Sequence, residues 1–271
     1  ARFEGDASYW QSAFSDGVPV LELPTDYPRP AVKTYKGLTR RCALDSGLTG
    51  ALTALAQSHE VSLFMVFEAA IYTLLYRYTG QEDIVLGSPV SGRDHHDLDG
   101  QIGFYVNTLA LRTRFSGEES FSTLLEKVKQ TTLSGYAHQS YPFDRLVDDL
   151  DLSRDMSRTP LFDVMLAYQH GGEWTEEPIE GLQIRPYPAE NVVSKFDLLF
   201  NVIEETERIA IELDYNTDLF SGARIERLLV HLEHLLGAVT TAPGQALYAL
   251  DYLSAAEKQE LLKDFNATAS E

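Results

Sequence analysis

The sequence predicts an α/β fold, a mixed β-sheet covered by helices, and three observations carry that prediction. Residues 209–215 alternate, with Ile209, Ile211 and Leu213 on one side and Glu212 and Asp214 on the other, the period of a half-buried strand. Ile225, Leu228, Leu229, Leu232, Leu235, Leu236 and Val239 fall at helical spacing and form the clearest apolar stripe in the chain, suited to packing on a sheet. Strand-like and helix-like stretches are interleaved irregularly, which fits one layered sheet.

Taken in order, residues 6–14 read as a short amphipathic helix. Residues 17–32 hold Pro19, Pro24, Pro28 and Pro30, which no helix interior or central strand tolerates, so this stretch is an extended linker across a surface. Residues 37–44 read as a strand. Leu48, Ala51, Leu52, Leu55 and Ala56 mark a helix ending near His59, and a second helix, apolar nearly all round, runs from Leu63 to Tyr78 and stops at Gly80. Residues 83–89 read as a buried strand, followed by a polar loop with Gly92 and Gly100 and a strand over 108–115. Phe121, Leu124, Leu125 and Val128 mark a further helix, and Pro142 opens a short one through Leu150, since proline suits a first helical turn. Strands are expected over 161–169, 182–187, 196–203 and 209–215, with a polar loop at 170–180. Ser254 and Glu257 form a capping box that starts a helix running to Phe265.

Composition narrows the function classes. The 271 residues are 44% hydrophobic and 23% charged, ordinary for a globular chain of one large or two small domains. A net charge of −19 argues against a nucleic-acid partner, which needs clustered Lys and Arg, and against an anionic membrane surface; it serves to keep copies apart in solution. Cys42 is the single cysteine, so no internal disulfide forms and a cytoplasmic setting is the simplest fit; it reads as packing. The apolar run at 63–71 is shorter than the roughly 20 residues of a membrane span, and Glu68 and Arg77 interrupt it. An acceptor-like Asn266-Ala-Thr268 is discounted because nothing else points to secretion. The chain opens without Met or a targeting pattern and is read as a fragment or processed piece.

Three segments mix Gly, Pro, Asn, Ser, Arg and aromatics more densely than a core requires: residues 102–109 (IGFYVNTL), 138–145 (HQSYPFDR) and 154–162 (RDMSRTPLF). Channels and loop-built sites use such mixtures. In this order and spacing they resemble the late motifs of the condensation domains of nonribosomal peptide synthetases. Tyr9-Trp10 and residues 21–30, 195–198, 215–220 and 253–268 extend the likeness over nearly the whole chain. The resemblance implies a chloramphenicol acetyltransferase-like lobe: residues 1–36 as an inter-lobe linker segment, 37–250 as the C-terminal lobe, and 251–271 as a linker toward an adenylation domain.

It also implies a chemistry. An amine on one carrier-protein thioester attacks the acyl carbon of another, and two phosphopantetheine arms, as substrates rather than bound cofactors, enter a channel between two lobes. Bringing two tethered reactants together makes a bimolecular step nearly unimolecular. A histidine in a His-His-x-x-x-Asp-Gly pattern then assists the amine. The implied partners are the N-terminal lobe, donor and acceptor peptidyl carrier proteins and the adenylation domain. The nearest match here, His95-His-Asp-Leu-Asp-Gly100, is one residue short and stands in a loop just before Ile102, so it reads as a decoy. No catalytic histidine and no metal site are assigned; the family histidine is expected in the missing lobe.

The residues carried over are Gly103, for close backbone approach beside the channel; Asn107, offering a donor and acceptor to the reacting centre or a pantetheine arm, or else fixing a strand end; and Tyr141 and Pro142, shaping a wall or starting a helix. Arg154, Ser157 and Arg158 would order a loop near the channel floor, Arg158 alternatively pairing with a carboxylate. Arg93 would bridge to the other lobe or remain a surface arginine. Three functions compete: half of an amide-forming domain, inactive alone; a non-catalytic carrier-protein docking lobe; and an epimerase or acyltransferase on the same fold. The adenylation-type linker at 253–268 argues against the third, and the first is adopted.

Overall fold

The computed structural model describes residues 2–93, 95–152, 155–171, 192–206 and 208–264. In chain order the elements are α1 (Arg2–Ala13), β1 (Lys36–Ala43), α2 (Ser46–Ser58), α3 (Leu63–Thr79), β2 (Asp83–Val90), β3 (Asn107–Arg114), α4 (Phe121–Ala137), α5 (Phe143–Asp149), β4 (Val164–His170), β5 (Val192–Val193), β6 (Leu198–Glu204), β7 (Ile209–Asn216), α6 (Gly222–Thr241) and α7 (Ala255–Gln259). Helix starts follow from local chemistry. Asp45, Ser62, Ser120 and Ser221 each turn a side-chain oxygen onto a backbone N–H of the first turn of α2, α3, α4 and α6. Gly80, at φ 72°, ends α3 where a side chain would be strained.

The strands form one sheet in the order β3-β2-β4-β6-β7-β1-β5. The β2–β4 and β4–β6 pairs are parallel and the remaining pairs antiparallel, giving the mixed sheet expected. On β6 and β7 the alternation holds: Phe200, Val202, Ile211 and Leu213 are fully buried, while Asn201, Glu212 and Asp214 on the opposite face are half-buried. The helices α2, α3, α4 and α6 pack on one another and cover the apolar face. Within α3, Glu68 is the exception to an apolar helix. It is fully buried, accepts a hydrogen bond from Thr132 of α4 at 2.6 Å, and burial pushes its carboxyl up to about 8.

Between β2 and β4 the ladder is reduced to one pair, Gly87 with Met165. The Phe162 ring occupies the space there, so close that a Cβ on Gly87 would lie 2.2 Å from it. This corrects the strand expected from residue 161. Leu161 takes φ 69° and Phe162 N–H bonds the Pro160 carbonyl at 2.9 Å, so a tight turn precedes β4, which starts at Val164. The first helix starts earlier than predicted, at Arg2, because its aromatic side packs on the 138–149 segment. The last helix is α-helical only to Gln259 and continues as a π-helical turn, Glu260–Asp264; its expected end at Phe265, the 182–187 strand and Asn266 lie outside the described residues.

The extended segment expected over residues 17–32 is present and runs on to residue 34, crossing one end of the sheet and tied down by charge. Arg158 donates to the Leu21 carbonyl at 3.0 Å and pairs with Glu22 and Asp163. Arg29 forks onto Asp197, which is 1% exposed, and reaches the Ser157 carbonyl at 3.3 Å. At the other end of the chain, Glu257 of α7 meets His231 of α6 at 2.9 Å, and the second imidazole nitrogen of His231 meets Tyr78 of α3 at 2.7 Å. Residues 254–257 are thereby docked on the body, with the Ser254–Glu257 capping box present as predicted.

Candidate functional site

An open cleft of about 350 Å³ lies where β3 begins, between the loop after β2 and the turn that joins α4 to α5. Gly92, Tyr105 and Val106 line one side; Asn107, Gln139, Ser140 and Pro142 line the rest. The first two of the three motif segments therefore meet here, although about 30 residues separate them in sequence.

Asn107, the first residue of β3, organises the wall. Its amide nitrogen donates to the carbonyls of Gln139 at 2.9 Å and Tyr141 at 2.7 Å, and its oxygen accepts from Phe143 N–H at 3.0 Å. Both amide hydrogens are committed to backbone, so of the two readings of this residue the geometry displays the one that fixes local structure. Tyr141 is 3% exposed, turns its hydroxyl to Asp149 and does not itself line the cleft. Pro142 occupies the N-cap of α5 with φ −65°, leaving its ring exposed on the cleft.

Gly92, noted in the sequence only as a loop residue, is required here. It sits at φ 63°, and a Cβ would fall 1.8 Å from the Tyr105 carbonyl oxygen, so only glycine lets the two loop strands touch. Gly103 is exposed two residues before Tyr105, whose ring edge would lie 2.9 Å from an added Cβ. Arg93 lies over the Tyr105 ring at 4.4 Å and donates to the carbonyls of Leu98 and Gln101, which takes up its guanidinium within its own loop. Ile102 and Phe104 project from this loop almost fully into solvent, at 104% and 90% exposure, and Val106 is half exposed.

The third motif segment is elsewhere. Arg158 lines a separate cavity of about 50 Å³ beneath the 17–34 segment, and Ser157 bonds Asp155 through both its N–H and its hydroxyl. Arg154 lies outside the described residues. Arg158 is taken up by Asp163 and Glu22, the carboxylate alternative of the sequence reading. Asp163 and Asp197 are both buried beside Arg29, Arg158 and Lys33. Burial raises the Asp197 carboxyl, Asp163 adds to the effect, and Arg29 opposes it. Sequence reasoning missed this cluster; Lys195-Phe-Asp-Leu198 was noted only for its resemblance, and nothing in its spacing pairs Asp197 with an arginine 168 positions away.

His95 and His96 are surface residues, with side chains 69% and 92% exposed, and both contact Asp97. Cys42 is half-buried with its thiol pushed up to about 11, chiefly by burial, which keeps it protonated near neutral pH. Among the described residues no group of three His, Cys, Asp or Glu stands together in a way that could hold a metal, and no single helix is long and apolar enough to cross a membrane.

Residues 1–262 match the family model described as Condensation domain. Tyrocidine synthase 3 of Brevibacillus parabrevis is 43% identical over 265 residues, which is 98% of this chain and 4% of that protein. Among solved structures, a holo four-domain nonribosomal peptide synthetase bound to AMP and glycine superposes with a TM-score of 0.85 at 24% identity, over 95% of this chain and 21% of that one. The first condensation domain of the calcium-dependent antibiotic synthetase, in complex with a substrate analogue, gives a TM-score of 0.70 at 20% identity, over 94% of this chain and 54% of that one. The sheet with its helical cover is thus the chloramphenicol acetyltransferase-like fold, and the chain belongs to the condensation-domain family of nonribosomal peptide synthetases.

Proposed function

We propose that this chain is the C-terminal lobe of a peptide-bond-forming condensation domain, and that the cleft at the start of β3 is one wall of its reaction channel. The single observation that supports it best is the pairing of that cleft with an adjacent loop whose Ile102 and Phe104 are exposed to solvent, since an apolar edge beside an open polar cleft is a surface built to be covered. The chain also matches about half of a solved condensation domain, at 54% of that chain. In this reading the cover is the N-terminal lobe, which carries the proton-handling histidine. Residues 1–36 serve as the inter-lobe linker and 251–271 lead toward an adenylation domain.

The chemistry is positioning. A donor acyl group and an acceptor amine, each on the phosphopantetheine arm of a carrier protein, are held in line inside a channel that excludes water. The amine attacks the thioester carbon, the donor thiolate leaves and takes a proton, and the acceptor carrier holds the lengthened chain. This lobe supplies shape through the 139–142 wall, and the synthetase would work in the cytoplasm.

The test uses two carrier proteins, one loaded with an acyl group and one with an amino acid. The isolated chain forms no amide, and the same chain joined to its missing lobe does. Turnover by the isolated chain defeats the half-channel reading.

A further inference from the structure

Helix α1 runs along the segment that walls the cleft and grips it at several points. The Phe3 ring lies 5.1 Å from that of Tyr141, Trp10 Nε1 donates to the His138 carbonyl at 3.0 Å, and Gln11 reaches Asp149 at 3.3 Å. At the centre is an ionisable pair. Asp6 is 3% exposed, and its Oδ1 lies 2.7 Å from Nδ1 of His138. The Tyr9 ring stacks on the imidazole at 4.3 Å with 20° between the planes. The other carboxylate oxygen of Asp6 is buried without a hydrogen-bond partner in the structure, a cost that a purely packed interface would avoid by using an apolar residue.

His138 is the C-cap residue of α4, and the next residues, Gln139, Ser140 and Pro142, wall the cleft. Any aromatic ring would stack on Tyr9. An imidazole adds a directed hydrogen bond to a buried carboxylate, which fixes the rotation of the ring and hence the backbone where α4 turns into the wall. The same backbone is held from the sheet side by Asn107. Because Nδ1 faces Asp6 and the ring is absent from the cleft lining, His138 acts on the wall and not on a bound group.

We propose that Asp6 and His138 are positioning residues for the cleft wall at 139–142, setting its shape from α1 as Asn107 sets it from β3. This assignment rests on the reading of the cleft as half a reaction channel, so its test has two arms. In the isolated chain, backbone amide exchange at Tyr141 and Phe143 reports the wall, and exchange in β6 and β7 reports the global fold. Asp6→Ala is expected to speed exchange at the two wall amides about tenfold with β6 and β7 unchanged, while Asp6→Asn, which keeps an acceptor for an Nδ1–H, restores most of the protection. His138→Phe, which keeps the stacking, is expected to behave as Asp6→Ala and serves if that variant is poorly folded. In the intact domain, Asp6→Ala is expected to lower kcat about fivefold with KM for the carrier proteins unchanged, and Asp6→Asn to recover it. Unchanged exchange at Tyr141 and Phe143, or loss spread evenly over the sheet, overturns the proposal. Faster wall exchange with undiminished turnover upholds the positioning role and counts against the half-channel reading.

Discussion

Asn107 has two amide hydrogens and a carbonyl oxygen, and the backbone at 139, 141 and 143 takes all of them. Asn107→Ala leaves one N–H and two carbonyls short of partners and is expected to cost about 2–3 kcal/mol, read from a shifted urea midpoint. Asn107→Asp should cost more than alanine despite its closer shape, because a carboxylate would face the two carbonyl oxygens that the amide now serves. An aspartate that matches or beats alanine contradicts the hydrogen-bond assignment. Gly92→Ala combines a left-handed backbone with a 1.8 Å clash and is expected to destabilise by roughly 1–3 kcal/mol, with the loss read as a lower Tm. Glu68 gives a pH signature. Its ordinary carboxyl value is 4.5 and burial raises it to about 8, so the folded state holds a proton that the unfolded chain releases. Its contribution is complete below 4.5 and is lost as pH rises toward 8. Glu68→Gln should therefore flatten the fall in Tm between those values, and an unaltered slope rules out a buried neutral acid. Of these three residues the sequence singled out Asn107 by its company in a Gly- and aromatic-rich motif; the demand on Gly92 depends on where Tyr105 returns, and that is decided by tertiary contact.

Among the helices and strands, legibility followed periodicity and punctuation. The helices α3 and α6 and the strands β2 and β7 match their sequence reading within three residues at each end, because caps and alternation are local signals, whereas α4 is legible at its start and runs nine residues past Val128, the last marker in its stripe. The start of β4 was misplaced because Leu161 and Phe162 look like strand residues, yet Phe162 wedges against Gly87 and needs the turn. The extended segment at 17–34 was legible from its prolines, but its anchors were not, since Arg29 and Asp197 are paired only through the fold. Removing one side of that pair strands the other. Arg29→Met is expected to cost roughly 3–5 kcal/mol by taking from the buried Asp197 carboxyl its hydrogen-bonded arginine, with Lys33 left as a nearby charge, and to open residues 17–34 to limited proteolysis before the sheet is cut. Resistance equal to the parent chain would show that the prolines alone hold the segment.

Across the full chain, the resemblance of three motif segments reached the family, and the structure then separated them, placing two around one cleft and the third under the extended segment. No linear reading could have made that division, because it depends on β3 standing at the sheet edge beside β2 while β4 follows on the far side. The bare Ile102 and Phe104 edge has a practical bearing on handling. Copies of the chain carry a net charge of −19 and repel one another, but that repulsion reaches only about 8 Å at physiological ionic strength and shortens further in brine. Sticky tips held apart by a diffuse ionic cloud make a colloid that salt coagulates: scattering should rise with added sodium chloride at constant temperature, and serine at both tips should abolish the rise.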